Sequence, residues 1–172
     1  MVLCNIECVQ RISQYLDVSP GKLYVSENNT IVTDDLIKNQ STEGFSTIVQ
    51  ALVKNSKYPA ILGDDAVKQA LTRQWLEYAV LCVNYADNSI NEKRVLKELN
   101  SVLKMSTYVS GTKKTIADIT LYYALHGLMQ RLTPQEKAEH VHVSRWFDNM
   151  QQDDKLRQTM DLINFNMMHL YL

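Results

Sequence analysis

Gly111-Thr-Lys-Lys-Thr115-Ile-Ala-Asp118-Ile-Thr-Leu121 is the stretch that decides the fold of this 172-residue chain. Thr115 stands where an N-cap residue is favoured, and Asp118 occupies the third helical position, from which its carboxylate can accept hydrogen bonds from free amides of the first turn. Apolar residues surround the cap, so the helix that follows is predicted to be buried. We therefore interpret Thr115 and Asp118 as a structural cap and not as catalytic residues.

On both sides of this segment, apolar residues recur at helical intervals throughout the chain after residue 64. Thr133-Pro134-Gln135-Glu136 has the residues of a second capped helix start, with a threonine cap, a proline in the first turn and a glutamate that reaches back. Four further stripes are predicted to face the core: Leu71, Trp75, Tyr78 and Cys82; Val95, Leu96, Leu99, Val102 and Leu103; Val143, Trp146, Phe147 and Met150; and Leu156, Met160 and Ile163.

The first third of the chain has a mixed pattern. Helical spacing around residues 6–16 is followed by two short β-prone runs, at 23–25 and 30–33, and by a second helical stripe at 45–53. A proline and a glycine then mark a linker. The predicted division is a small α/β subdomain over residues 1–57, a linker over 58–63 and an all-helical domain over 64–172.

This layout, together with Gly111 and the capped segment, resembles the glutathione-transferase family. Narrower matches resemble the transferase-like members of the aminoacyl-tRNA synthetase complex-interacting multifunctional proteins. The matching stretches are Gln74-Trp75-Leu76-Glu77-Tyr78, Leu121-Tyr122-Tyr123-Ala124-Leu125-His126, Leu132-Thr133 with Gln135-Glu136-Lys137, and Val143-Ser144-Arg145-Trp146-Phe147. The resemblance implies a mainly helical fold with a reduced thioredoxin-like N-terminal subdomain. It also implies a non-catalytic scaffold of the multi-synthetase complex in translation.

An active glutathione transferase needs three elements that this sequence lacks. The predicted first helix begins within a few residues of Met1, so no complete strand with a catalytic side chain is expected before it. No proline lies between Gly21 and Tyr58 to form the cis-peptide that presents backbone groups to glutathione. Gly44-Phe45 stands where an acidic residue and a serine would hold the γ-glutamyl group at a helix start. A thiol transferase that uses Cys4 or Cys8 is the alternative function.

Two surfaces are candidates for partner binding. Ala66, Ala70, Arg73 and Glu77 form a stripe of small and charged residues that suits close helix approach with a polar rim; an ordinary solvated face has the same spacing. Ser144 and Arg145 lie beside a core stripe, and a guanidinium suits an interface. The resemblance implies that the first surface binds the transferase-like domain of methionyl-tRNA synthetase. It implies that the second binds that of glutamyl-prolyl-tRNA synthetase, among other members of the complex.

Composition excludes several other classes. Eighteen Lys and Arg against 19 Asp and Glu give a net charge of −1, which does not favour direct nucleic-acid binding. Three cysteines without a Cys-x-x-Cys motif indicate a reducing compartment, and no window is apolar enough for a membrane span. His140 and His142 lack further ligands, so neither metal nor cofactor is expected. The expected location is the cytoplasm, with the nucleus as a second one.

Overall fold

The computed structural model describes residues 5–37 and 40–165. The N-terminal part consists of α1 (Ile6–Leu16), three strands and α2 (Phe45–Asn55). The strands, β1 (Lys22–Val25), β2 (Ile31–Ile37) and β3 (Gln40–Glu43), form an antiparallel sheet in the order β1-β2-β3. The helices α1 and α2 pack against each other, and α2 also packs on β2. The predicted small α/β unit is therefore present.

A short 3₁₀ turn (Pro59–Leu62) leads into six helices. These are α3 (Ala66–Leu81), α4 (Ser89–Met105), α5 (Ile116–Arg131), α6 (Pro134–Glu139), α7 (Val141–Gln151) and the single turn α8 (Asp154–Arg157), with a second 3₁₀ turn at Val83–Tyr85. Helix α5 is the central one, because twelve of its sixteen residues are buried. It packs against α1, α3 and α7, while α7 also packs on α4.

Local sequence explains where most helices begin. The side chain of Asn5 accepts a hydrogen bond from the amide of Cys8 at 3.0 Å, and that of Asp65 accepts one from Lys68 at 2.8 Å. Thr133 and Glu136 form the predicted capping box of α6. Each cap satisfies amides that have no partner inside the helix.

Helix α3 is rotated relative to the predicted core stripe. Its buried residues are Thr72, Leu76 and Ala79, whereas Leu71 is exposed and Trp75, Tyr78 and Cys82 are only partly buried. The predicted stripe was therefore wrong by one position, which corresponds to about 100° around the helix. The orientation of α3 is set by its tertiary packing, in which α5 and α2 are its helical neighbours, and it buries the small Thr72 and Ala79 more deeply than the aromatic rings.

The end of the described chain also differs from the prediction. Leu156 and Ile163 are buried and Met160 is partly buried, as predicted for this stripe. The helix, however, ends after one turn at Arg157. Gln158 adopts a positive φ of 54°, which interrupts the helix. The side chains of the α/β unit and of the helices share one continuous hydrophobic core, and the division into two subdomains remains a prediction.

Candidate protein-docking surfaces

Helix α3 presents an exposed face with an apolar centre. Ala66, Ala70, Arg73 and Glu77 are all exposed. Three large apolar side chains lie beside this stripe and are exposed to 70%, 38% and 68%: Val67, Leu71 and Leu81. We call these seven residues the α3 face. So many solvent-exposed apolar side chains on one helix are typical of an interaction surface.

The charges of the α3 face are available for a partner. Arg73 and Glu77 are one helical turn apart, yet neither forms an ion pair with any residue in the described parts of the chain. A partner with complementary side chains could pair with both without breaking an existing contact. The arrangement has the apolar centre and polar rim of a protein interface.

An aromatic pair and a hydrogen bond to α4 lie at the margin of α3. The rings of Trp75 and Tyr78 meet edge to face with centroids 5.2 Å apart. The Tyr78 hydroxyl donates to Glu98 of α4 at 2.7 Å, and Arg94 donates to the same carboxylate at 2.9 Å. These hydrogen bonds lower the pKa of Glu98, with the Tyr78 bond contributing most, and burial raises the pKa of Tyr78. The Tyr78 hydrogen bond thus links α3 to α4, while Ala66, Ala70, Arg73 and Glu77 stay exposed.

Arg145 has a structural contact that the sequence did not reveal. The residue is exposed, but its guanidinium donates to the carbonyl oxygens of Leu103 at 2.8 Å and Ser106 at 3.2 Å. Those carbonyls belong to the last turn of α4 and the residue after it, where backbone acceptors have no partner inside the helix. Arg145 therefore caps α4 from α7.

The structure corrects the position predicted for Ser144. Its side chain is 1% exposed, and its hydroxyl donates to the carbonyl oxygen of Lys137 at 2.8 Å. One step along a helix turns a side chain by about 100°, so Arg145 points outward while Ser144 points into the protein. Ser144 supports α7 from inside and is not part of a docking surface.

Met105 is a surface residue that the sequence interpretation missed. It is the last residue of α4, it is 85% exposed, and it lies in the turn whose carbonyls Arg145 caps. We call Arg145 and Met105 the α4–α7 corner. The sequence indicates this exposure only through the position of Met105, which falls outside the apolar stripe of its helix.

Asp118 is the centre of a buried hydrogen-bond cluster at the start of α5. Its carboxylate accepts from the amides of Val109 and Thr115, both at 2.9 Å, from the Trp146 indole at 3.0 Å and from the Thr115 hydroxyl at 3.1 Å. Burial raises the pKa of Asp118, and these hydrogen bonds oppose the rise because they stabilise the carboxylate. Thr115 and Asp118 form a capping box that also ties α7 to the loop before α5.

A groove lies at the start of α2, where a glutathione transferase would hold the γ-glutamyl group. Its volume is about 550 Å³, and Gly44, Phe45, Thr47, Glu77 and Asp87 are among the residues that line it. Gly44 is the N-cap of α2 and provides no side-chain hydrogen bond. Two acidic side chains in the wall disfavour a ligand that itself carries carboxylates.

Of the two thiols named in the alternative function, Cys8 is not positioned for transfer chemistry. Cys8 is 4% exposed and packs in the core on α1, and it does not line the groove at α2. A nucleophilic thiol has to reach its substrate. Cys4 lies outside the described residues.

The sequence is 35% identical over 161 residues to eukaryotic translation elongation factor 1 epsilon-1 of Mus musculus, and the alignment covers 93% of this chain and 92% of the mouse protein. The chain belongs to the elongation factor 1 epsilon-1 family. A family profile described as "Nuclear-export cofactor Arc1p" matches residues 68–154.

One further sequence relative and one solved structure are similar to this chain. The bifunctional glutamate/proline–tRNA ligase of Mus musculus is 25% identical over 129 residues, which cover 72% of this chain and 8% of the ligase. A glutathione transferase of Bombyx mori superposes with a TM-score of 0.69 at 15% identity, covering 88% of this chain and 83% of the other. The glutathione-transferase-like fold predicted from the sequence is confirmed.

This member of the epsilon-1 family is expected to lack glutathione chemistry. Conjugation of glutathione to a generic electrophile should stay at the uncatalysed rate, because the groove at α2 is acidic and Cys8 is buried. Retention on immobilised glutathione should equal that of an unrelated protein. Clear turnover that Cys4→Ser or Cys8→Ser abolishes would establish the thiol-transferase alternative instead.

Among residues 5–37 and 40–165, no group of three His, Cys, Asp or Glu side chains is arranged to hold a metal ion. Within the same parts of the chain, no helix has the length and apolar character required to span a membrane.

Proposed function

We propose that this protein is a non-catalytic scaffold of the multi-aminoacyl-tRNA synthetase complex. It docks the transferase-like domain of methionyl-tRNA synthetase on the α3 face and that of glutamyl-prolyl-tRNA synthetase on the α4–α7 corner. The role is exercised in translation, with the cytoplasm as the expected location and the nucleus as a second one.

The observation that carries this proposal is the similarity to one segment of a synthetase. The alignment with the glutamate/proline–tRNA ligase covers 72% of this chain but only 8% of the ligase. A segment of that kind has the size of a separate domain appended to a much larger enzyme. Domains of one fold often pair through equivalent surfaces, which makes a related domain a natural partner for this chain.

The α3 face supports docking through its shape and its chemistry. Ala66 and Ala70 allow a partner helix to approach closely, and Val67 and Leu81 offer apolar area that solvent now covers. Burial of apolar surface drives most protein association, at about 25 cal/mol per Å². Arg73 and Glu77 at the margin would then select partners by charge.

The α4–α7 corner supports a second, separate contact. Helix α7 packs on α4 and α5, whereas α3 packs on α2 and α5, and no residue belongs to both surfaces. Met105 supplies an exposed apolar anchor, and the Arg145 guanidinium is held in place by two backbone carbonyls. A preorganised side chain loses less entropy on binding.

The proposed function is tested by purification of the tagged protein from its own cells, followed by mass spectrometry. Methionyl- and glutamyl-prolyl-tRNA synthetase should be enriched well above a tagged glutathione transferase of the same organism. Recovery of neither synthetase, with the tagged protein folded and abundant, would contradict the proposal.

Two substitutions separate the capping role of Arg145 from docking. Arg145→Ala should lower the free energy of unfolding by about 1–2 kcal/mol, because two helix-end carbonyls lose their donor. It should also weaken binding of the glutamyl-prolyl-type domain about tenfold or more. Met105→Ala should weaken binding of the same domain. It should leave the free energy of unfolding unchanged, because the side chain is almost fully exposed.

Calorimetry on the isolated partner domain and urea unfolding give these two quantities for each variant. If Arg145→Ala changes only stability and Met105→Ala changes nothing, Arg145 is a helix cap alone and the second docking surface does not exist.

A further inference from the structure

A cavity of about 610 Å³ opens beside the linker, away from both docking surfaces. Its walls come from the end of α1, residues 57–63, the start of α3, the loop before α5, and Lys155 of α8. None of the residues of the α3 face or of the α4–α7 corner lines it, nor does any residue of the groove at α2. Its volume is within the range of about 300–1,000 Å³ that small-molecule sites occupy.

One wall of the cavity is apolar and aromatic. Tyr58, Pro59, Ala60 and Ile61 form this wall, and the Tyr58 ring is half exposed. Tyr15 faces it from α1. The Lys155 ammonium lies over both tyrosine rings, 5.6 Å from each centroid. The half-exposed Tyr58 ring with its neighbouring proline still favours a flat aromatic group over a branched aliphatic chain.

The rim of the cavity is rich in lysine. Five lysines line it together with the carboxylate of Asp64: Lys57, Lys68, Lys113, Lys114 and Lys155. Four of them form ion pairs within the described residues, Lys68 with Asp64 and Asp65, Lys113 with Asp64, Lys114 with Asp153 and Lys155 with Asp17. Lys68 in the first turn of α3 and Thr115, the N-cap of α5, are also part of the lining.

Several of these lysines already have acidic partners, and the strength of those pairs decides whether a ligand can bind. Lys113 contacts Asp64 at 2.7 Å, but the two side chains are 71% and 42% exposed. Exposed ion pairs contribute about 0–1 kcal/mol, so this pair can be exchanged for a stronger anion. Lys57 forms no ion pair with any residue that the structure describes.

We propose that this cavity binds a small aromatic ligand that carries a phosphate group, which is the chemistry of a free nucleotide. The base would lie on Tyr58 and Pro59, and the phosphate would contact Lys57 and Lys113. A single carboxylate would only replace what Asp64 already provides. A phosphate carries a charge of about −1.5 to −2 and three acceptor oxygens, so it competes successfully for the same lysines.

Calorimetry with adenosine 5′-monophosphate, adenosine and inorganic phosphate tests both halves of the proposal. We expect the monophosphate to bind, and adenosine and phosphate alone to bind at least about tenfold more weakly. In nitrogen-15 NMR spectra, the monophosphate should shift the amides of residues 57–64 and 110–115. No binding of the monophosphate up to about 1 mM would overturn the proposal. So would equal binding of inorganic phosphate.

Variants show whether the cavity itself is the site. We expect two variants to bind the monophosphate about tenfold more weakly or worse. One is the double variant Lys57→Gln with Lys113→Gln, and the other is Tyr58→Ala. Lys22→Gln, an exposed lysine on β1 outside the cavity, serves as the matched control and should change nothing. Unchanged affinity in folded cavity variants would overturn the proposal. Tighter binding of a single-stranded oligonucleotide, with the same dependence on lysine, would overturn it in favour of a nucleic-acid surface.

Discussion

Asp118→Ala is expected to lower the free energy of unfolding by about 3–5 kcal/mol, since it removes an acceptor that four buried donors share. The donors are the amides of Val109 and Thr115, the Thr115 hydroxyl and the Trp146 indole. Alanine leaves the two amides and the indole buried without this acceptor, and the Thr115 hydroxyl keeps only the Ser110 hydroxyl, 3.4 Å away. Urea unfolding, followed by tryptophan fluorescence, measures the loss.

Two matched variants divide this effect into its parts. Asp118→Asn keeps the volume and one acceptor oxygen, so it should cost less than alanine does. Thr115→Ala should cost about 1 kcal/mol, as the loss of an N-cap residue usually does. A loss below about 1 kcal/mol for Asp118→Ala would show that the cluster does not stabilise the fold. Lost docking with unchanged stability would show that the segment is an interface.

Ala70→Arg is expected to weaken binding of the methionyl-type transferase-like domain by about 100-fold or more. The substitution forces a long charged side chain into a close helix contact, and desolvation of an unpaired charge costs several kcal/mol. The free protein should keep its stability, because Ala70 is exposed. Calorimetry on the isolated partner domain measures the change.

The control for this substitution is Ser101→Arg, which places the same side chain on an exposed position of α4. It should leave methionyl-type binding unchanged. Binding of the glutamyl-prolyl-type domain should survive Ala70→Arg, since distant sites without a shared partner usually contribute separately. If Ala70→Arg and Arg145→Ala abolish the same partner and spare the other, the protein has a single docking mode.

The elements that the sequence predicts well are those fixed by local chemistry. The caps at Thr115 and Thr133 depend on residues three positions apart, and both helices begin there. Strand β3 was missed because Gln40-Ser41-Thr42-Glu43 is polar throughout and only Thr42 is buried. Such a strand exists because β2 provides its hydrogen-bond partners, which no local pattern encodes.

Features fixed by tertiary packing were not predictable. The rotation of α3 depends on its packing against α5 and α2, and the capping role of Arg145 depends on the end of a helix, 42 residues earlier in the chain. The lysine-lined cavity unites Tyr15, Lys57 and Lys113, which no spacing rule connects. The candidate docking stripe on α3 was identified in the sequence because it follows a single helix.

Native mass spectrometry of the protein mixed with both isolated transferase-like domains tests the scaffold function most directly. A scaffold with two independent surfaces predicts a 1:1:1 ternary complex at micromolar concentrations, and Ala70→Arg should remove only the methionyl-type domain from it. Binary complexes alone, in which each domain displaces the other, would contradict the two-surface account, and the absence of any complex would contradict the scaffold function itself.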